Sequence, residues 1–264
     1  MQVTHLGLAK TGRYGLGNQL FQVAATIGIA TENNLQYGFP EWHNNNLFRK
    51  KLPGVGIGQG VIVKEKSFEY NPVEVPNNCF TFLEGYFQSW KYFQNSEALI
   101  KETFEFNGHL FPIVQNVYEG ANLGTTCSIS VRRGDYVRLQ DIHPLQPDEY
   151  WVNAQQLIES KDKIDTYLVF SDDITWCREN KQLFTSTGKK VIFVEGRSQA
   201  DDFMMITLCN HNIITNSTFS WWGAYLNKNA DKTVIMPKLW FGPTGPWSGP
   251  SNAEDLHYPD WYRI

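Results

Sequence analysis

The residues of this chain best suited to chemistry lie where apolar runs give way to charged, hydroxyl and amide side chains. Ile214-Thr215-Asn216-Ser217-Thr218-Phe219-Ser220-Trp221-Trp222-Gly223-Ala224 leaves a strand pattern through polar residues and enters an aromatic helix start. Backbone N–H groups at a helix start, with Ser and Thr hydroxyls beside them, suit a phosphate or another anion. Val131-Arg132-Arg133-Gly134-Asp135-Tyr136 is a second strand end. If extended, Arg132 and Arg133 project to opposite faces, so one can reach a ligand while the other braces the site from behind. A guanidinium suits a diphosphate because its planar fork donates parallel hydrogen bonds and keeps its charge. Asp135 could fix an arginine or take a proton from a substrate hydroxyl.

Phe170-Ser171-Asp172-Asp173 is a third strand end, running into a helix. Helix capping accounts for one of the two carboxylates, and the other could meet a base edge or a ribose. Paired carboxylates also suit a divalent metal. No third carboxylate or DxD spacing accompanies them, so capping plus nucleotide contact is the reading preferred over metal ligation. Ser, Thr and Asn before a helix are by themselves ordinary caps, and an Arg–Asp cluster is by itself a solvated strand end. Three such ends in one half of the chain are what a ligand site at the carboxyl edge of a sheet needs.

Gly15-Leu16-Gly17-Asn18-Gln19 follows the first strand pattern. Leu20 stands where a dinucleotide fingerprint has its third glycine, so this is a tight turn with amides that could meet sugar hydroxyls. His5, His43, His109, His143, His211 and His257 form no close pair, and Ser217 lacks a GxSxG context. Asn216-Ser217-Thr218 matches the glycosylation sequon but falls inside the candidate site. Trp42, Trp90, Trp240, Trp247 and Trp261 sit beside polar, Gly or Pro residues, as sugar-stacking or loop-packing aromatics do.

Positioning these ends requires a regular α/β scaffold. Strand patterns at Ser128 to Arg132, Tyr167 to Phe170, Val191 to Val194, Asn212 to Thr215 and Thr233 to Met236 alternate with helical ones. The helices are Glu149 to Ser160, Ile174 to Leu183, Ala200 to Cys209 and Phe219 to Asn227. That order predicts a parallel sheet with right-handed crossovers. Earlier, Val3 to Leu8 reads as strand, Leu20 to Ala30 as helix and Trp90 to Phe104 as helix, with short β-like runs at 61–63 and 80–83. Residues 53–60 read as a loop. The expected division is an N-terminal α/β domain over 1–125 and a C-terminal Rossmann-like domain over 126–264.

The 264 residues carry 23 Lys plus Arg against 27 Asp plus Glu, a net charge of -4. That balance excludes a nucleic-acid coat or a basic membrane-binding surface, leaving basic residues to act as a local anion clamp. The four cysteines are scattered without a CxxC pair and read as free thiols. The start reads as a strand rather than a leader, and no run approaches the ~20 apolar residues of a membrane helix. A cytoplasmic location is expected, with peripheral contact at the inner membrane face left open.

In this order the segments resemble the α-1,2-fucosyltransferase family. The resemblance rests on Gly15 to Gln22, Val131 to Tyr136, Phe170 to Trp176, Asp201 to Met204, and Ile213 to Ala224. It continues through Met236-Pro237-Lys238-Leu239-Trp240-Phe241 and Pro259-Asp260-Trp261, and is weakest from about 40 to 120. It implies a GT-B architecture of two Rossmann-like domains facing a cleft, with the first domain on the acceptor side. It also implies GDP-L-fucose as donor substrate, a galactose-containing acceptor, inversion at the anomeric carbon, and neither metal nor cofactor. Arg132 would clamp the β-phosphate and stabilise departing GDP, supported by Arg133 and Asp135. Asp172 or Asp173 would meet guanosine. Asn216, Ser217, Thr218, Phe219 and Ser220 would line the diphosphate, while Gly17, Asn18 and Gln19 would face the donor from the first domain.

One position departs from the family, which usually has His where this chain has Ser130. Serine keeps one hydrogen bond but loses bulk and charge, which bears on nucleotide affinity and donor choice. The acceptor proton would go to Asp135, to a nearby carboxylate such as Asp141, or to a phosphate oxygen. The rival readings are a transferase with another nucleotide sugar or fucosyl linkage, and a sugar-binding relative without turnover.

Overall fold

A computed structural model describes residues 2–9, 14–56, 58–76, 79–108, 122–245 and 250–264. Gly12 of the glycine loop and Trp247 lie outside them. The chain forms two compact units: Met1–Gly108 with Asn252–Leu256, and His109–Ser251 with His257–Ile264.

In the first unit, β1 (Gln2–His5), β2 (Gln36–Tyr37), β3 (Val61–Lys64) and β4 (Thr81–Glu84) form a parallel sheet in the order β2-β1-β4-β3. β1 is shorter than the alternation of 3–8 predicts. The Gly7 N–H donates to His5 Nδ1 at 2.9 Å, turning Leu6–Ala9 into a 3-10 helix. Helix α1 (Leu16–Glu32) is buried almost throughout, as a crossover helix packed in the interior must be.

The helix expected over 90–104 is broken. Trp90–Tyr92 and Gln94–Ser96 are 3-10 turns, and only Glu97–Thr103 (α2) is α-helical. Two causes are visible. The Ser89 hydroxyl accepts from the Lys91 N–H, and α1 approaches so closely at Gly28 that a Cβ there would strike the Tyr92 carbonyl. Of the tryptophans, Trp42, Trp240 and Trp261 are buried, so their role is packing and they present no face to a sugar.

The second unit has six parallel strands in the order β10-β9-β8-β5-β6-β7. They are β5 (Thr126–Val131), β6 (Thr166–Ser171), β7 (Lys190–Phe193), β8 (His211–Ile213), β9 (Val234–Met236) and β10 (Tyr262–Arg263), the last of which the sequence pattern missed. The helices are α3 (Asp148–Glu159), α4 (Ile174–Glu179), α5 (Gln199–Leu208) and α6 (Thr218–Tyr225). The helix expected over 174–183 ends early, because Asn180 bonds back to the Trp176 carbonyl and a 3-10 turn follows.

β5 is buried along its whole length, with two different faces. Cys127, Ile129 and Val131 join Trp151, Ile158, Tyr167, Val169 and Ile213 in the apolar core. Thr126, Ser128 and Ser130 occupy the other face. The four cysteines are free, with Cys127, Cys177 and Cys209 buried.

Candidate functional site

The carboxyl ends of β5, β6 and β8 in the second unit meet the starts of α5 and α6 around a pocket of about 240 Å³. Sheet order accounts for this, since β5 lies between β6 and β8. Ser130, Arg132, Asp172, Ser217, Phe219 and Ser220 line the pocket, as do Val131, Phe170, Ser171, Gln199, Asp202, Ile206 and Thr215, which had no predicted role.

Arg132 stands just beyond β5 and is held by two carboxylates. Its Nη2 donates to Asp135 Oδ1 at 2.6 Å, and its Nη1 lies 3.0 Å from Asp172 Oδ2. A guanidinium fixed at two corners keeps its remaining N–H groups in a defined plane, ready for an anion. The other Asp172 oxygen accepts the Arg133 backbone N–H at 2.9 Å. Asp172 crosses so close to Gly134 that a Cβ at that position would collide with the carboxylate, which explains the glycine.

Arg133 points elsewhere. Its guanidinium lies 3.8 Å from the Trp176 ring centroid, and its Nε meets Asp173 Oδ2 at 3.3 Å. Asp173 also caps α4 through the Trp176 N–H. Both oxygens of Asp172 and of Asp173 are therefore committed to arginines or backbone. Arg132 lines the pocket and Arg133 braces the loop from outside it.

At the start of α6, the Ser217 side chain makes no capping bond, and the first N–H groups of the helix are those that intrahelical bonding leaves over. Ser220 lines the pocket, but its hydroxyl donates to the Thr215 and Ser217 carbonyls. Asn216 is turned inward. Its amide donates to the Pro144 and Trp240 carbonyls at 2.9 and 3.0 Å, so it braces two loops and does not line the pocket. Thr218, Asp135 and Asp173 also fall outside the lining.

Two buried polar atoms of the lining have no hydrogen-bond partner, Ser130 Oγ and Asp202 Oδ1. On the polar face of β5, the Thr126 hydroxyl pairs with Asn210 and the Ser128 hydroxyl with Asn212. Only the third hydroxyl, at the pocket, is unspent. Burial, reinforced by neighbouring Asp201, raises the Asp202 carboxyl to about 6, against the pull of Arg197. The sequence carried a signal for Asp202. Ser198 and Asp201 form a reciprocal capping box, which leaves the adjacent acid without a local task.

Gly17, Asn18 and Gln19 belong to the first unit. Gln19 is 1% exposed, and its Oε1 accepts from Trp42 Nε1 and Asn44 Nδ2, both at 2.8 Å. Asn18 Oδ1 accepts from Gln88 Nε2 at 2.8 Å. Among the described residues, no helix is long and apolar enough to cross a membrane, and no group of three or more His, Cys, Asp or Glu is placed to hold a metal.

A parallel α/β unit with a fixed arginine, a helix start and an unspent buried carboxylate around one pocket has the layout of a nucleotide-sugar enzyme. Residues 64–262 match the model of glycosyl transferase family 11, and the chain belongs to that family. It is a glycosyltransferase. It is 33% identical over 263 residues to an alpha-1,2-colitosyltransferase of Escherichia coli, covering 86% of this chain and 90% of that one. It is 27% identical over 274 residues to galactoside alpha-(1,2)-fucosyltransferase 2 of Hylobates lar, covering 94% and 76%. Among solved structures it resembles NodZ alpha-1,6-fucosyltransferase co-crystallised with GDP, with a TM-score of 0.56 at 13% identity, over 84% of this chain and 91% of that one. The fold is thus of the GT-B type, as expected.

Proposed function

We propose that the protein transfers L-fucose from GDP-L-fucose to the 2-hydroxyl of a galactose in a glycan acceptor, with inversion and without a metal. The carrying observation is that one pocket joins a doubly anchored guanidinium to a buried carboxylate with an unspent oxygen. A GDP group needs those two things at its two ends. The relatives named as α-1,2-transferases support the linkage, and the galactoside in the name of the Hylobates lar relative supports the acceptor.

In this reading Arg132 and the start of α6 take up the negative charge that grows on the β-phosphate as the sugar leaves, a preorganised stabilisation of about 3–4 kcal/mol per donor. Asp202 accepts the two N–H groups on the edge of guanine, and the Ser130 hydroxyl supplies a further hydrogen bond to the nucleotide. The lining rings of Phe170 and Phe219 offer apolar surface to the base. Asp172 and Asp173 hold the arginines, so guanosine contact passes from them to Asp202. Asp135 is the first candidate to accept the acceptor proton.

Transfer assays with GDP-L-fucose, a panel of galactose-terminated acceptors and EDTA test the proposal. Turnover giving an α-1,2-linked product is expected; absence of both turnover and GDP binding would overturn it. A second reading, transfer of a deoxy relative of fucose such as colitose, is favoured by the 33% identity to the colitosyltransferase. Direct competition between GDP-fucose and GDP-colitose separates the two.

A further inference from the structure

The residue behind the arginine has so far had no task. Tyr136 is buried, its hydroxyl donates to the Asn216 carbonyl at 3.0 Å, and the Arg132 guanidinium lies 5.4 Å from its ring centroid. On Tyr136 lies the imidazole of His143, 4.7 Å between centroids and only 12° from parallel. Phe241 packs on His143 at a tilt, 5.8 Å between centroids and 48° from parallel. The loop that brings His143 back is tightly turned, with the His143 and Ile142 N–H groups both donating to the Leu139 carbonyl.

The same contacts reach the other half of the pocket. Asn216, which receives the Tyr136 hydroxyl, itself holds Pro144 and Trp240, the residues adjoining His143 and Phe241. His143 Nδ1 is buried without a hydrogen-bond partner, so its link to Tyr136 is made by the ring face. Burial also holds the imidazole below its usual pKa, and nearby Arg132 acts in the same direction while Asp135 opposes it. A neutral ring adds no positive charge beside the guanidinium.

We propose that His143 is a positioning residue of the anion clamp. Its ring, flat on Tyr136, keeps the phenol beside Arg132 and its hydroxyl on Asn216, so that the arginine and the start of α6 face the diphosphate as one rigid piece. The inference rests on the reading of Arg132 as the diphosphate clamp. It assigns His143 no contact with substrate and no proton transfer.

The test compares His143→Ala with His143→Phe, which restores a flat ring without the ring nitrogens. Donor and acceptor kinetics, GDP binding and thermal unfolding are measured on each. Misaiming a group that acts in the transition state lowers kcat more than it raises KM. His143→Ala is expected to lose on the order of 10–100-fold in kcat at unchanged acceptor KM, and His143→Phe to recover to within about threefold of the parent. A parent-like kcat in His143→Ala would overturn the proposal, as would a His143→Phe variant as slow as His143→Ala. If the alanine variant does not fold, His143→Leu takes its place: a slow leucine variant beside a parent-like phenylalanine variant supports the stack, and equal rates refute it. A parent protein with neither turnover nor GDP binding would instead refute the functional reading beneath it.

Discussion

The two units carry similar polar residues near the carboxyl ends of parallel strands, and in each most of these close on the protein while a few buried atoms do not. In the first unit several amides are spent internally, although Thr4 Oγ1, His5 Nε2 and Gln22 Oε1 stay buried without a partner. Gln19 holds Trp42 and Asn44, Gln88 holds Asn18, and the two Glu65 oxygens accept the Tyr86 and Phe87 N–H groups. Those bonds keep a turn in which Phe87 adopts the left-handed region at φ 52°. In the second unit the scaffolding residues Asp172, Asp173 and Asn216 are also fully committed, but Ser130 and Asp202 keep unspent buried atoms in the pocket. A buried polar atom without a partner costs roughly 1–3 kcal/mol, and the two in this pocket stand where a ligand can supply the missing bonds. An unspent polar atom at a strand end thus points to a ligand when it also lines a pocket beside a fixed charge.

The strongest test of this contrast is Arg132→Ala. It should lower transfer by on the order of 10²–10³ while thermal unfolding stays near that of the parent, since the arginine works at the phosphate and not in the core. Near-normal turnover would dissolve the distinction between the units.

Asp202 sharpens the comparison through pH. Its carboxyl, raised to about 6, must be ionised to accept guanine N–H groups. Above that pH, GDP affinity should be flat. Below it, binding has to expel a proton, so affinity should fall by about tenfold per pH unit. Asp202→Asn should weaken GDP and flatten this acidic limb; calorimetric titration from pH 5 to 8 reads both.

Gln19 probes the opposite case. Gln19→Ala leaves the Trp42 and Asn44 donors unpaired and should cost about 1–3 kcal/mol of stability. The melting temperature should fall by several degrees while the donor KM of the folded variant is unchanged. A large rise in donor KM without loss of stability would return Gln19 to the ligand.

The smallest effect concerns Glu65, raised from 4.5 to about 7 by burial despite its two backbone hydrogen bonds. A raised carboxyl binds its proton more tightly in the folded than in the unfolded state. Its contribution is therefore most favourable below the unfolded value and declines as pH rises from about 4.5 to 7. Glu65→Gln should remove that decline, read as the slope of melting temperature against pH.

Much of this arrangement was legible beforehand, and the limits follow from the kind of signal. The strands and helices of the second unit appear near their predicted places because apolar alternation and helical spacing are local properties. Arg132 and Arg133 diverge as an extended pair should, and Asp173 caps α4 as an acid at a helix start should. The break at 90–96 was hidden, because one of its two causes is the close approach of Gly28 from α1, far away in sequence. Asp202 falls inside the Asp201 to Met204 segment with no role legible there, because its importance lies in the hydrogen bond it does not make. His143 looked idle, because its partner Tyr136 meets it face to face across a folded-back loop.

The sequence by itself determined the alternation of strands and helices, the family, and the three polar strand ends that gather around the pocket. The tertiary structure alone decided which polar groups remain free. Asn18 meets Gln88 across 70 positions, and the Arg133 N–H meets Asp172 across 39. Secondary structure follows from neighbours a few residues apart, whereas the spending of a hydrogen bond depends on which distant strand or loop the sheet order brings alongside.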